Sequence, residues 1–180
     1  GFSMKNKVFI YVSFLVSFFL FISLCRNWLD LGYWPFWIGG VVGMVLPELD
    51  HIVYVFFSNP QEVTSQRVRF LCNNKQYKRC SQLLLSTTQE RTRLIFHTIL
   101  FQAIFLVLTF WVMTSSTSLF GRGIVLAFSL HLVIDQIVGF LEKGELSSWF
   151  WQTPISLDRK QTITMLAVII LLVLIFGFLL

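Results

Sequence analysis

Residues 39–57 read GGVVGMVLPELDHIVYVFF. The stretch is apolar at both ends and carries a proline and three ionisable side chains in its middle. An apolar run of about 20 residues matches the hydrocarbon core of a bilayer. Pro47 removes one helical hydrogen bond, and its ring clashes with the carbonyl of Gly43. Residues 34–57 are therefore expected to form a membrane helix broken at Pro47, with Glu48, Asp50 and His51 projecting to one side. Irregular backbone at that depth is tolerated only where it is buried in protein or lines a cavity. Gly39 and Gly43, one turn apart, are expected to be helix-packing contacts.

The rest of the chain has the same character. Of 180 residues, 56% are hydrophobic, 17% aromatic and 13% charged, with twenty Phe, and mean hydropathy is +0.73. Soluble domains run about 45–50% apolar and about 25% charged. A disordered chain, a collagen-like chain, a disulfide scaffold and most soluble enzymes are excluded. Four further apolar runs lie at 8–25, 94–113, 124–141 and 163–180. The first is long for a signal sequence and has no small-residue cleavage site after it, so it counts as a helix. The expected fold is an all-α, polytopic membrane helix bundle of about five transmembrane helices in one domain, with residues 58–93 as a basic loop. Cys25, Cys72 and Cys80 are an odd count without CxxC spacing, and are expected to be reduced thiols. Gly1-Phe2-Ser3 ahead of Met4 has the look of a cloning scar.

Orientation follows from the basic residues. Five spans place twelve of the fourteen Lys and Arg on one side: Lys5 and Lys7, the seven of the 58–93 loop, and Lys143, Arg159 and Lys160. The positive-inside rule then sets the N-terminus in the cytoplasm. The 58–93 loop is expected to be either a solvated cytoplasmic segment or an amphipathic helix on anionic lipid. Trp149-Phe150-Trp151 is expected to be an interfacial anchor. The net charge of +5 needs no nucleic acid to explain it, since no recognisable module is present and orientation already accounts for the loop's charge.

Three of the nine acids (Glu48, Asp50, Asp135) and all three histidines (His51, His97, His131) fall inside spans. An ionised group near a helix centre costs about 2.5–3.5 kcal/mol, so such residues mark sites. With the orientation above, Asp50 lies roughly 10 Å deep, His97 roughly 5 Å and Asp135 roughly 9 Å, all in the cytoplasmic half. His131 and Asp135 are i,i+4 and can hold one metal or bond each other. Arg93 and His97 are also i,i+4, which suits a guanidinium beside a metal-bound phosphate.

Three motifs in order, GMVLPELDH (43–51), RLIFHT (93–98) and HLVID (131–135), resemble the YdjM-like membrane-bound metal-dependent hydrolases. That family has a Gly/apolar stretch into PD-x-DH, then R-x-x-x-H-[ST], then H-x-x-x-D. It is distantly grouped with zinc-dependent phospholipases C and single-strand nucleases. The resemblance covers residues 39–135 and implies metal-ligand roles for Asp50, His51, His97, His131 and Asp135, with Arg93 on the substrate. Glu48 stands where the family has Asp, Thr92 where many members have His, and the first span has no His. The implied cofactor is Zn2+ or another divalent metal, one to three ions.

The expected function is an integral-membrane metal-dependent hydrolase of a bacterial-type inner membrane. It would act on a phosphoester or lipid-like substrate at the cytoplasmic face through a metal-activated water. Glu48 or Asp50 is the expected general base, Arg93 the charge stabiliser, and Arg91 with Arg93 the substrate-binding pair. The alternatives are a proton- or ion-coupled transporter, with Gln102 as the polar residue that would extend a pathway, and a non-catalytic scaffold with the polar cluster as helix glue.

Overall fold

The computed structural model describes residues 4–91 and 93–179, and every regular element among them is helical. Gly1-Phe2-Ser3, Thr92 and the last residue of the fifth span, Leu180, lie outside the described residues. The α-helices are α1 Met4–Cys25, α2 Trp34–Val45, α3 Leu49–Val53, α4 Val63–Asn73, α5 Tyr77–Ser86, α6 Ile99–Ser115, α7 Leu119–Lys143 and α8 Arg159–Phe178. Among the described residues, four helical runs are long and apolar enough to cross a membrane: Asn6–Cys25, Leu31–Ser58, Leu119–Lys143 and Arg159–Phe178. The chain is an all-α bundle of an integral membrane protein.

The second run is continuous, though not regular. A 3-10 turn, Leu46–Glu48, interrupts it around the buried Pro47, and it ends in a π turn, Tyr54–Ser58. The expected break is thus a local tightening within a continuous helical run.

The third expected span, 94–113, is α6 and has 17 residues. That is about 25 Å, short of the roughly 30 Å hydrocarbon core. It begins at Ile99, where the hydropathy pattern had placed the start at 94. Thr98 is the cause: its side chain accepts from the Phe101 N–H as an N-cap, and a capping residue takes non-helical backbone. Residues 94–98 are therefore not helical, and the expected i,i+4 relation of Arg93 and His97 on one helix face does not form.

α7 is the centre of the bundle, with thirteen of its 25 residues buried. Ser118 caps its start and Gly144, at φ +75°, closes its end in the left-handed conformation that glycine favours. α2 lies against α7 backbone to backbone. A methyl on Gly39 would fall 2.2 Å from the Phe120 carbonyl oxygen, one on Gly43 2.2 Å from that of Ile124, and one on Gly123 2.3 Å from that of Phe36. Small residues at such an interface let dispersion forces act between backbones where lipid removes the hydrophobic drive. The contact fixes the rotation of α2, and so the side to which Glu48 and His51 point.

α6 joins α7 through polar pairs. Gln102 and Gln136, both buried, exchange reciprocal amide bonds of 3.2 and 2.6 Å. Further along, Thr109 and Ser129 hydroxyls lie 3.0 Å apart. Gln102, the residue that a transport pathway would need, is spent on this pair. α8 starts at an Asp158/Gln161 capping box and packs on α7.

The 58–93 loop holds two helices, α4 and α5, docked through Val68, Cys80 and Leu94 on Tyr54 and Val55 of the π turn. A tight turn, with Lys75 at φ +58°, brings the Cys72 and Cys80 Cα atoms to 5.6 Å and the pair forms a disulfide. This corrects the expectation of three thiols: Cys25 alone is free. Spacing in sequence hid the pairing, because the contact exists only once the turn folds α5 back on α4. The aromatic stretch divides: Trp149 and Phe150 are buried in the protein, whereas Trp151 is 42% exposed and donates its indole N–H to the Leu94 carbonyl at 3.1 Å.

Candidate metal centre

The pairs that meet are a carboxylate and an imidazole from different parts of the chain. Asp50, on α3, is fully buried and sits behind the non-helical segment before α6. Its carboxylate accepts from the backbone N–H groups of Ile95 (3.1 Å), Phe96 (2.6 Å) and His97 (3.4 Å). It also lies 3.1 Å from His97 Nδ1. These bonds replace the intrahelical ones that residues 95–97 would otherwise make. They leave His97 Nε2 facing the other way, 2.8 Å from Asp135 Oδ2. A carboxylate on one imidazole nitrogen fixes the tautomer and aims the other nitrogen at a metal. Asp50, expected as ligand and base, is thus placed as the anchor of His97 and does not line the cavity described below.

His131 and Asp135 share a face of α7, as their spacing required, with Nε2 3.2 Å from Oδ2. His97, His131 and Asp135 offer ligand atoms that all lie within 4.8 Å of one another. Glu48 approaches from the 3-10 turn, with Oε1 3.8 Å from His131 Nε2 and Oε2 3.8 Å from His51 Nε2. The His51 and His97 rings lie 6.0 Å apart. Six ionisable groups from α2–α3, the segment before α6, and α7 are thereby gathered at one place.

The donor set suits a zinc-type ion, which binds His nitrogen and carboxylate oxygen. Both ring nitrogens of His131 and Nδ1 of His51 are buried and make no hydrogen bond. The 3.2 Å approach of His131 to Asp135 is an ion-pair distance without hydrogen-bond geometry. Orphaned buried polar atoms are costly in a protein interior, and a cation between these groups would satisfy His131 Nε2, the nitrogen that faces Asp135 and Glu48.

The two arginines separate. Arg93 is exposed and lies outside the cavity wall, whereas Arg91 is 5% exposed and lines it. Arg91 Nη2 donates to the Leu84 carbonyl (2.8 Å) and the Thr87 hydroxyl (2.7 Å), while Nη1 is buried without a partner. Burial pushes the guanidinium pKa below its ordinary value, opposed by Tyr54, Glu90 and Glu62.

Two residues carried no motif. Tyr11 of α1 stacks on His131 with ring centroids 4.6 Å apart and planes 7° from parallel, and its hydroxyl donates to Asp135. Trp149 meets the His97 ring edge-on at 5.7 Å. The available signal for Tyr11 was modest: it is the one aromatic hydroxyl in a Phe- and Val-rich span, one helical turn beyond Lys7. Lys7 itself pairs with Glu142 of α7 at 3.6 Å.

These groups surround a cavity of about 690 Å3, within the roughly 300–1,000 Å3 of small-molecule sites. Its polar end is Glu48, His51, His97, His131 and Asp135; its rim carries Lys7, Arg91 and Lys143; Val8, Val12, Met44 and Val45 supply an apolar wall. No family model, curated protein or solved structure matches the chain.

Proposed function

We propose that the chain is a metal-dependent hydrolase embedded in a bacterial-type inner membrane, acting at the cytoplasmic face on a phosphoester or lipid-like substrate. The observation that carries this reading is the convergence of His97 Nε2, His131 Nε2 and an Asp135 oxygen within 4.8 Å at the polar end of a cavity. His97, His131 and Asp135 would hold the ion, with Glu48 or His51 completing the set. When bound there, a zinc ion would supply Lewis acidity and a coordinated water of near-neutral pKa.

The protein's own groups supply the rest. Glu48 reaches the cavity with a carboxylate that no backbone group claims, which fits a general base taking a proton on Oε. Asp50 holds His97 in one tautomer. Tyr11 orients Asp135. Arg91 offers Nη1 to developing negative charge. The resemblance of 43–51, 93–98 and 131–135 to the YdjM-like hydrolases supports His97, His131 and Asp135 as ligands, while Asp50 and Arg93 lie outside the cavity wall here. The cytoplasmic orientation rests on the distribution of Lys and Arg. The Cys72–Cys80 disulfide in the 58–93 loop counts the other way, since disulfides persist in oxidising compartments.

The test is metal analysis of the purified full chain. About one zinc per chain is expected, lost in His131→Ala. Wild-type protein that takes up no divalent metal on titration would remove the proposal. A reporter active only in the cytoplasm, inserted in the 58–93 loop, checks the orientation.

A further inference from the structure

The cavity has an unusual wall. Val8 and Val12 of α1 and Val45 of α2 line it, yet they are 57%, 53% and 58% exposed. Val12 lies inside the span Asn6–Cys25 and Val45 inside Leu31–Ser58, where an exposed side chain faces acyl chains, and Val8 stands at the edge beside Lys7. The cavity is therefore open sideways, through a gap between the N-terminal half of α1 and the end of α2. The packing explains the gap. Farther along, the helices touch, with Phe19 of α1 against Gly40 of α2. Towards its N-terminus α1 leans on α7 instead, through Tyr11 on His131 and Lys7 on Glu142. α2 is left behind on the other side of the opening.

Two polar groups at this opening are only partly satisfied: Glu48, whose partners His51 and His131 stand 3.8 Å away, and Arg91, which bonds through Nη2 alone. The Glu48 side chain is 48% exposed, at a depth where exposing a carboxylate to hydrocarbon costs several kcal/mol. Arg91 lines the cavity, and its Nη1 is buried with no acceptor. A cation between Glu48 and the histidines, with an anionic group on Arg91, would satisfy both. The apolar valines between them and the bilayer call for a ligand with hydrocarbon attached.

We propose that the ligand of this cavity is a membrane lipid with a phosphate-bearing headgroup. It enters sideways between α1 and α2, lays its headgroup on Arg91 and leaves its chains in the bilayer past Val8, Val12 and Val45. The proposal deepens the hydrolase reading and rests on it for the fate of the lipid. The binding step itself needs neither metal nor turnover.

The experiment uses the metal-free full chain in detergent micelles, titrated with phosphatidylglycerol, with retained lipid counted by native mass spectrometry. One lipid per chain is expected to be held. Arg91→Gln should weaken retention about ten- to hundred-fold, the worth of a charge-assisted bond. Val12→Trp and Val45→Trp should block entry while leaving the polar groups intact. Phe14→Trp, exposed on α1 but outside the cavity wall, should bind as wild type, which separates blockage from damage to α1. Inorganic phosphate at millimolar concentration should fail to displace the lipid. The proposal is overturned if no lipid saturates the site, if both portal variants bind as wild type, or if inorganic phosphate displaces the lipid and marks a soluble-anion site. Failure of zinc binding, with lipid retained, would remove the hydrolase reading alone.

Discussion

Replacing Asp50 with Asn tests the division of labour at the site. The side chain keeps its shape, so packing is unchanged. Asp50 Oδ2 serves the Phe96 N–H and His97 Nδ1, at 2.6 and 3.1 Å, and Oδ1 serves the Ile95 N–H at 3.1 Å. Asparagine keeps one oxygen, which will stay on the shorter pair of bonds. Its NH2 then confronts the Ile95 N–H, and the negative charge behind His97 is gone. One bond to a charged acceptor is worth about 1.5–3 kcal/mol. A metal bound through His97 should feel most of that loss, because the aim and basicity of Nε2 depend on the partner of Nδ1. At about 1.4 kcal/mol per factor of ten, zinc affinity should fall roughly ten- to hundred-fold. Asp135→Ala, which removes a donor atom outright, should lose more. The assay is isothermal titration of zinc into metal-free protein in detergent, with thermal unfolding as a control for folding. Asp50→Asn binding zinc like wild type would refute the anchoring role. A loss equal to that of Asp135→Ala would make Asp50 a direct ligand after all.

Other expected outcomes concern the bundle. Gly43→Ala puts a methyl 2.2 Å from the Ile124 carbonyl oxygen and should destabilise by at least the 1–3 kcal/mol of overpacking. Gly32→Ala, with nothing within 4 Å of the new methyl, should be near neutral in the same melt, and equal melting of the two would contradict the α2–α7 contact. Gln102→Leu leaves the buried Gln136 amide unpaired, a cost of about 1–3 kcal/mol. The double variant Gln102→Leu/Gln136→Leu should recover part of it, and a double variant worse than the sum of the singles would show that the pair is not self-contained. In SDS without reductant, maleimide should label one cysteine per chain, Cys25, and three after dithiothreitol; three labels before reduction would deny the Cys72–Cys80 bond. Tyr11→Phe keeps the stack on His131 and loses the hydroxyl on Asp135. It should fold like wild type and weaken zinc binding by several-fold, whereas unchanged affinity would leave Tyr11 as packing only.

Much of the fold could be read from composition along the chain. Hydropathy is a local property, so the runs at 8–25, 34–57, 124–141 and 163–180 coincide with helices to within a few residues. The run at 94–113 misleads at its start for an equally local reason: an apolar stretch crosses Thr98, whose capping bond ends the helix there. The disulfide escaped notice because two cysteines eight residues apart become neighbours only through a turn.

The ionisable residues inside the spans stood out in the sequence because the bilayer makes each of them costly, whatever lies next to them. Their division of labour did not, because it depends on how each helix is rotated about its axis. Gly39, Gly43 and Gly123 set the rotation of α2 against α7, which turns Glu48 and His51 towards His131 and sends Asp50 to the backbone of 95–97. The lean of α1 brings Tyr11 onto His131 and opens the side of the cavity. Arg91 takes the position by the cavity that Arg93 was expected to hold, and the 93–98 segment is not helical, so Arg93 and His97 do not share a helix face. The sequence by itself determined that this is a helical membrane protein with polar groups concentrated in three places. Which of those groups face a common ligand, and which only hold others in position, was decided by the tertiary contacts, since close packing between backbones fixes directions that periodicity leaves free.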